Sequence, residues 1–241
     1  MIPGIPGKIH YNDFMLDSTD EADIDHYMSA ARSTVAQLEE SLAAAGKTWH
    51  NVQSMLEFGA GYGRITRLLV QKIHPSKLTV CDVIDESSRF CAEEFKVGRV
   101  TSTPDIQAFR AAPSDLVFFL SVQTHLSLTR LEQLQYKLMS LLKPGGVVHF
   151  TTMGMTSANN ISRYGERWVK EQSRILGELR DSGFSFTPYG YYNDPDYGMT
   201  WETEEHVAGT MQRLHGDSMR LLLFSPGAED GHQDIYVYQR V

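Results

Sequence analysis

The sequence predicts a three-layer α/β fold, in which helices cover both faces of a mostly parallel sheet. Three observations lead to this prediction. Segments with strand and helix patterns alternate through residues 52–153, a glycine-rich loop follows the first strand, and the run "DLVFFLSV" is apolar enough for a strand buried on both faces. With 241 residues, 41% of them hydrophobic and 22% charged, the chain can bury one large core.

The first strand–helix–strand unit follows a leading amphipathic helix, whose apolar residues keep helical spacing from Ile24 until Gly46 interrupts the pattern. The apolar run "VQSMLEF" predicts the first strand. After the glycine loop, a helix carries Ile65, Leu68 and Ile73 on one face, and "KLTVCD" predicts the second strand.

The alternation continues with a helix beyond Asp85, a weak strand around Val100 and the central strand "DLVFFLSV". Leucines at helical spacing from Leu128 to Leu141 predict another helix, which "KPGG" ends before the strand "VVHFTT". Right-handed crossovers bring the carboxyl ends of parallel strands to one edge of the sheet, so we expect a ligand at that edge.

The last third of the chain has a different pattern. We expect a helix near residues 168–179, an irregular aromatic stretch "FSFTPYGYYNDPDYGMTW", and a helix from about Glu204. Two strand-like segments, "MRLLLF" and "DIYVYQRV", end the sequence. Only a loop joins them, which predicts an antiparallel hairpin.

Composition and charge exclude several classes of function. The formal charge is -8 and the basic residues are scattered, which argues against a nucleic-acid partner. Cys81 and Cys91 fit neither a disulfide framework nor paired metal-ligand spacing. We find no signal peptide and no run of about 20 apolar residues. We therefore expect a cytoplasmic protein that does not bind membranes.

The glycine loop lies in "MLEFGAGYGRITRLL". Arg64 stands where the dinucleotide fingerprint needs its third glycine, and no Gly-Lys-Ser/Thr follows to make a phosphate loop. What remains is an acid, Glu57, followed by alternate glycines. A carboxylate there suits an ammonium or sulfonium group, while Asp82, at the end of the second strand, is placed to meet ribose hydroxyls. The pattern predicts a nucleoside ligand with a cationic tail.

Four motifs, "LEFGAGYGR", "LTVCD", "DLVFFLSVQTHL" and "LLKPGGVVHFTT", occur in an order and spacing that resemble the class I S-adenosylmethionine-dependent methyltransferases over about 100 residues. The resemblance implies a Rossmann-like, seven-stranded sheet whose last strand is antiparallel. "SVQTHL" and "GHQDIYVY" are similar to a bacterial subgroup with Ser-Val-x-Thr-His-Leu after the fourth strand. We expect one methyltransferase domain over residues 1–241, with an N-terminal cap and helix (1–50), a cofactor-binding half (51–153) and a substrate-side half (154–241).

The resemblance also implies that the cofactor is S-adenosylmethionine and which residues bind it. The acid and the backbone of the glycine loop cradle the methionine part, the second strand supplies the ribose contact, and the following loops border the adenine and the reactive end. Gly63 has an alternative role in helix packing. The predicted cofactor residues are Glu57, Gly59, Ala60, Gly61, Gly63, Asp82, Val83, Thr103, Asp105, Ser121 and Val122.

Methyl transfer is an in-line displacement that mainly needs alignment of the reacting groups, and a hydroxyl acceptor also profits from a base. Two histidines, His125 and His232, follow strands whose ends should lie at the ligand edge, so they are the predicted catalytic residues. His125 has an equal alternative as a pocket-shaping residue, and loop structure is the favoured alternative for His232. A metal site of His125, Asp230, His232 and Asp234 can be drawn, but nothing in the spacing demands it. We expect no metal.

We expect the acceptor to be a small polyhydroxylated molecule or a glycan, because aromatic residues are accompanied by Asn193, Asp194 and Asp196. Core packing is the alternative for many of these aromatic side chains. Alternative functions are N-methylation of a small molecule, or a catalytically silent cofactor-binding partner protein. The expected assembly is a monomer or a homodimer. The predicted substrate residues are Tyr11, Phe14, Gln123, Met153, Tyr192 and Trp201; at position 153 relatives often carry histidine.

Overall fold

A computed structural model describes residues 5–103, 105–190 and 193–241. The helices are α1 (Glu21–Ala44), α2 (Thr66–Leu69), α3 (Asp85–Phe95), α4 (Leu128–Ser140), α5 (Met155–Asn159), α6 (Glu166–Ser182) and α7 (Glu204–His215). The strands are β1 (Met55–Phe58), β2 (Leu78–Cys81), β3 (Gly98–Arg99), β4 (Ser114–Phe119), β5 (Leu142–Met153), β6 (Phe184–Pro188), β7 (Gly198–Glu202), β8 (Met219–Glu229) and β9 (Gln233–Arg240).

Seven strands form one sheet in the order β3-β2-β1-β4-β5-β9-β8. The pairs β1–β2, β1–β4 and β2–β3 are parallel, whereas β8 and β9 pair antiparallel as a hairpin. This topology confirms the predicted fold class, including the antiparallel last strand.

The described chain divides into two compact units, Met1–Phe119 with Leu141–Val148, and Leu120–Ser140 with His149–Val241. In the first unit, all four residues of β1 are buried, as expected for a strand covered on both faces. Helix α1 buries one stripe of its surface, and the Asp20 side chain caps its start by accepting a hydrogen bond from the Asp23 N–H at 3.0 Å. The predicted division at residues 50 and 153 stays a prediction.

The second unit corrects the prediction of an irregular aromatic stretch. Strands β6 and β7 pair antiparallel over five residue pairs, from Phe184 opposite Glu202 to Pro188 opposite Gly198. This two-stranded sheet and α6 contribute to one apolar cluster. Its members include Trp201 of β7 and Trp168 and Ile175 of α6. The turn residues between the two strands hid this pairing, because Pro and Gly at close spacing are also typical of irregular loops.

Two element boundaries also differ from expectation. Helix α2 has only four residues, although turns continue on both sides of it. Strand β5 begins at Leu142, so "KPGG" belongs to the strand and not to the end of α4. Among the described residues, no helix has both the length and the hydropathy that a membrane span requires.

Candidate functional site

The glycine loop of the first unit closes back on the end of β2. Gly59, Gly61 and Gly63 all have positive φ angles, of 79°, 54° and 81°, which side chains with a Cβ atom rarely adopt. The N–H groups of Gly59 and Ala60 donate to the Cys81 carbonyl at 2.8 and 3.1 Å. These contacts fix the loop at the carboxyl end of two neighbouring strands.

Two of the three glycines have different surroundings. A Cβ atom added at Gly61 would meet no heavy atom within 4 Å, so the backbone there is bare. A Cβ atom at Gly63 would lie 2.6 Å from Phe95 Cε2 and 3.0 Å from Cys91 Sγ. Gly63 therefore allows α3 to pack against the loop, which supports its alternative role in packing, while Gly61 offers open backbone to a ligand.

Glu57 lies at the end of β1 and is only 2% exposed. Its Oε2 atom accepts a hydrogen bond from the Thr66 hydroxyl at 2.7 Å, which ties β1 to α2. Burial raises the pKa of Glu57 to about 8; the Thr66 hydrogen bond opposes this shift and the charge of Asp82 adds to it. The carboxyl group is thus mainly neutral at pH 7, and its predicted contact with a cationic ligand stays a prediction.

Asp82 connects the second strand to the glycine loop. Its two carboxylate oxygens accept hydrogen bonds from the Gly61 N–H at 2.7 Å and from the Ile84 N–H at 2.9 Å. The group is half-buried, and carboxylate oxygens can accept further bonds from hydroxyl groups. Val83, the next residue, is 70% exposed. Bare backbone, an available carboxylate and an uncovered apolar side chain fit a nucleoside.

Thr103 and Asp105 form local contacts in the loop after β3. The Thr103 hydroxyl donates to the Asp105 carbonyl at 2.7 Å, and the Asp105 carboxylate accepts from the Gln107 N–H at 3.0 Å. These bonds shape a turn. Whether the same residues border an adenine ring stays a prediction.

In the second unit, Ser121 lies just after β4 with a φ angle of 57°, an unusual conformation for a residue with a side chain. Its N–H donates to Thr151 Oγ1 at 2.9 Å, and its hydroxyl lies 2.8 Å from Gln233 Nε2. Thr151 Oγ1 donates to Gln233 Oε1 at 2.6 Å, and Gln233 Nε2 lies 3.3 Å from His232 Nε2. Gln233 therefore brings Ser121 and His232 into one network.

Thr151 and Gln233 are functional candidates that the sequence did not reveal. Gln233 stands between a histidine and an aspartate in "GHQD", a position with no spacing rule that would mark it.

The ring of His232 has a defined orientation. Its Nδ1 atom lies 3.1 Å from the Asp230 carbonyl, which can only accept, so Nδ1 carries the proton. Gln233 Nε2 donates to the other ring nitrogen, Nε2, which is therefore an acceptor. Burial is the main cause of a lowered pKa of His232. The imidazole is neutral at pH 7, with a basic nitrogen next to the Ser121 network.

His125 belongs to an aromatic cluster in the same unit. Its Nδ1 atom lies 2.7 Å from the Tyr189 hydroxyl and 3.3 Å from the Gly198 carbonyl, and its ring centroid is 5.8 Å from that of Tyr197. Burial lowers the pKa of His125, while the Gly198 contact opposes the shift. These contacts support a pocket-shaping role. Val122 is half-buried and precedes the short turn that carries His125.

Three predicted substrate residues are corrected by the structure. Gln123 is 0% exposed, and its Nε2 atom donates to Glu202 Oε2 at 3.3 Å. Met153 and Trp201 are 2% and 0% exposed and belong to the apolar cluster of the second unit. All three side chains are core residues and cannot contact an acceptor in this structure. Tyr192 lies outside the described residues.

The remaining two substrate candidates are accessible: Tyr11 is 85% exposed and Phe14 is 68% exposed.

Within the described ranges, no group of three or more His, Cys, Asp or Glu residues is arranged to hold a metal ion. Asp234, from the metal alternative, is buried and accepts a hydrogen bond from the Gly227 N–H at 2.7 Å. It thus holds the β8–β9 hairpin.

Comparison with known families places a methyltransferase domain in the chain. Residues 56–148 match the family model described as "Methyltransferase domain". A search of curated protein sequences gives no match.

Solved structures with the same fold include three bacterial proteins. An O-methyltransferase family protein from Burkholderia thailandensis has a TM-score of 0.53 at 12% identity, covering 91% of this chain and 60% of that protein. This chain therefore spans 60% of the length of that protein. An S-adenosylmethionine-dependent methyltransferase from Clostridium acetobutylicum has a TM-score of 0.57 at 12% identity, with coverages of 89% and 92%. The N-methyltransferase NodS from Bradyrhizobium japonicum has a TM-score of 0.53 at 16% identity, with coverages of 95% and 92%.

Identities this low establish a common fold, and the family match adds a methyltransferase domain over residues 56–148. The methyl donor and the activity of the chain belong to the proposal that follows.

Proposed function

We propose that the protein transfers the methyl group of S-adenosylmethionine to a hydroxyl group of a small polyhydroxylated molecule or a glycan, with His232 as the base. The observation that carries the proposal is the neutral, oriented ring of His232, whose Nδ1–H faces the Asp230 carbonyl at 3.1 Å. A base is useful for a hydroxyl acceptor, which must lose a proton, and dispensable for a neutral amine. The subgroup defined by "SVQTHL" is part of the same proposal.

The bound cofactor supplies a sulfonium-activated methyl group. The residues of the chain bind the cofactor and align the acceptor with its methyl group. The loop residues Gly59, Ala60 and Gly61 would cradle the methionine part, with the open backbone of Gly61 nearest to it, and Asp82 would accept hydrogen bonds from the ribose hydroxyls. Val83, which is 70% exposed, would cover one face of the adenine. Holding the acceptor oxygen in line with the methyl group supplies most of the rate enhancement.

With the cofactor bound, His232 Nε2 would exchange its hydrogen bond from Gln233 Nε2 for the proton of the acceptor hydroxyl. The C–S bond of the methyl group would break as the C–O bond forms, and the sulfur would leave as a neutral thioether. The Asp230 carbonyl keeps the proton on Nδ1, and Gln233 holds the ring next to Ser121. His125 is the second candidate base, and its contacts with Tyr189 and Gly198 favour pocket shaping instead.

Support for a polyhydroxylated acceptor comes from Tyr11 and Phe14, whose exposed rings can lie against the apolar face of a sugar. The acids expected to assist are otherwise engaged: Arg130 pairs with Asp194 at 2.7 Å and with Asp196 at 3.5 Å.

The experiment measures transfer of a labelled methyl group to sugars, phenols and amines by the wild type, by His232→Gln and by His215→Gln as a control. His215 is also a partly buried histidine whose pKa is lowered by burial. We expect transfer to a hydroxyl, with kcat lowered about 100-fold in His232→Gln and unchanged in the control. Transfer to amines with no effect of His232→Gln would favour N-methylation, and no transfer to any acceptor would favour the silent partner protein.

A further inference from the structure

The first unit contains an N-terminal segment, residues 5–16, which we call the strap. Gly7 has a φ angle of 78°, and a Cβ atom there would lie 3.0 Å from Phe95 Cε1, so the strap lies directly against α3. The N–H of Lys8 donates to Glu94 Oε1 at 2.9 Å. Ile9 packs with the apolar cluster at the start of α1. The strap is thus fitted to the surface next to the glycine loop.

Arg67, in α2, joins the strap to the loop. The side chain is 1% exposed, and its Nη1 atom donates to the carbonyls of Pro6 at 2.8 Å and Lys8 at 3.3 Å. Its Nε atom donates to the Gly63 carbonyl at 3.1 Å, and Nη2 to the Tyr62 carbonyl at 3.4 Å. One guanidinium group therefore holds both segments by their backbones, and these bonds offset the cost of burying its charge.

Further along the strap, His10 and Asn12 make a second set of contacts with the glycine loop and α3. The ring of His10 stacks on that of Tyr62, with centroids 4.5 Å apart and an angle of 10° between the planes. Glu86 Oε2 accepts hydrogen bonds from both Asn12 Nδ2, at 3.0 Å, and the Tyr62 hydroxyl, at 2.9 Å. Tyr62 stands between Gly61 and Gly63. The strap therefore rests on the residue that separates the bare glycine from the packed one.

We propose that Arg67 is a positioning residue that couples strap docking to cofactor binding at the glycine loop. This inference rests on the use of the loop by S-adenosylmethionine. A bound cofactor fixes the loop, and with it the carbonyls of Tyr62 and Gly63, so that the strap finds its partners already ordered. By linkage, a docked strap raises the affinity for the cofactor by the same factor. Tyr11 and Phe14 lie on the strap, so a docked strap also fixes the two rings that are expected to contact the acceptor.

The test uses the full chain and follows trypsin cleavage after Lys8, whose side chain is 74% exposed. Cleavage rates are measured with and without S-adenosylhomocysteine, and its Kd is measured by calorimetry. In the wild type we expect saturating ligand to slow cleavage about tenfold, a factor typical of coupled sites. In Arg67→Lys we expect faster cleavage, loss of protection by the ligand, and a Kd raised about tenfold. The control, Arg64→Lys, alters a half-buried arginine of the same loop and should match the wild type.

An unchanged Kd in Arg67→Lys, together with faster cleavage, would overturn the coupling and leave Arg67 with a purely structural role. If circular dichroism shows that Arg67→Lys is unfolded, His10→Ala provides the second variant, with both effects expected at about threefold. No binding of S-adenosylhomocysteine to the wild type would instead remove the cofactor site itself. The two failures are therefore distinguishable.

Discussion

The carboxyl group of Glu57 is buried, so its ionisation in the folded protein costs free energy. This cost makes the free energy of unfolding depend on pH. Burial raises its pKa to about 8, from an unfolded value near 4.5. Below pH 4.5 both states hold the proton. Between pH 4.5 and 8 only the unfolded state releases it, so the group's contribution to the free energy of unfolding falls as the pH rises, by a few kcal/mol at most.

We therefore expect Glu57→Gln to gain stability over the wild type as the pH rises from 4.5 to 8, with no further gain above pH 8. Denaturant unfolding across this range measures the difference. Glu40→Gln, on the exposed face of α1, is the control for a surface change. A difference that shrinks with rising pH would show that Glu57 is ionised in the folded protein.

Gly61 and Gly63 form a matched pair for a second prediction. Both adopt positive φ, so alanine costs each about 1–2 kcal/mol in backbone strain. At Gly63 the new Cβ also meets Phe95 and Cys91, so we expect Gly63→Ala to lose roughly 2–4 kcal/mol of stability. Gly61→Ala fills open space and should mainly weaken S-adenosylhomocysteine binding. Thermal unfolding and calorimetry on both variants check this; equal losses of affinity would contradict the separation of roles.

At the residue scale, the sequence predicted those positions whose chemistry is carried by residue type and spacing. Asp82 follows from its place at a strand end, and the structure ties it to Gly61. Arg67 could not be predicted, because its partners are backbone carbonyls of residues up to 61 positions away, and no side-chain pattern marks them. Gln233 was missed because its side-chain partners Thr151 and Ser121 lie 82 and 112 positions away in the sequence.

At the element scale, the end of β5 meets the start of β9 without room for a side chain. A Cβ atom at Gly154 would fall inside the van der Waals contact distance of Asp234 Oδ2. The buried Asp234 carboxylate would have to move and lose its hydrogen bond from the Gly227 N–H. We expect Gly154→Ala to cost about 1–3 kcal/mol.

Denaturant unfolding measures this cost, with Gly177→Ala as the control. Gly177 lies inside α6, and a Cβ atom there meets nothing within 4 Å, so alanine should add up to about 1 kcal/mol by helix propensity. The cost of Gly154→Ala should also shrink in an Asp234→Ser background. An undiminished cost would assign the effect to the β5 backbone instead.

Periodicity predicted the elements with strong patterns and failed for β6 and β7. The motif "SVQTHL" shows the limit most clearly. Gln123 was expected to face a substrate, yet it is buried against Glu202 of β7. Because β7 was not recognised from the sequence, nothing indicated that Gln123, four residues after β4, would have a buried partner.

At the scale of the whole molecule, the predicted sheet was confirmed because its determinants are general. Parallel strands with right-handed crossovers permit few topologies, and a short loop between β8 and β9 requires an antiparallel pair. The glycine loop then has one position in that topology, at the carboxyl end of β1.

The same reasoning gives a prediction for the whole chain, since a ligand that binds only the folded protein stabilises it by mass action. S-adenosylhomocysteine at 100 times its Kd adds about 2.7 kcal/mol, which for a chain of this size raises Tm by roughly 5–10 °C. NAD should give no shift, because Arg64 occupies the position where a dinucleotide needs a third glycine. The Tm of the wild type is measured by thermal unfolding with each ligand. Asp82→Asn, which should not bind either ligand, is the comparison. An equal shift with NAD would mean that the loop recognises adenosine alone and that the sulfur-bearing tail contributes nothing to binding.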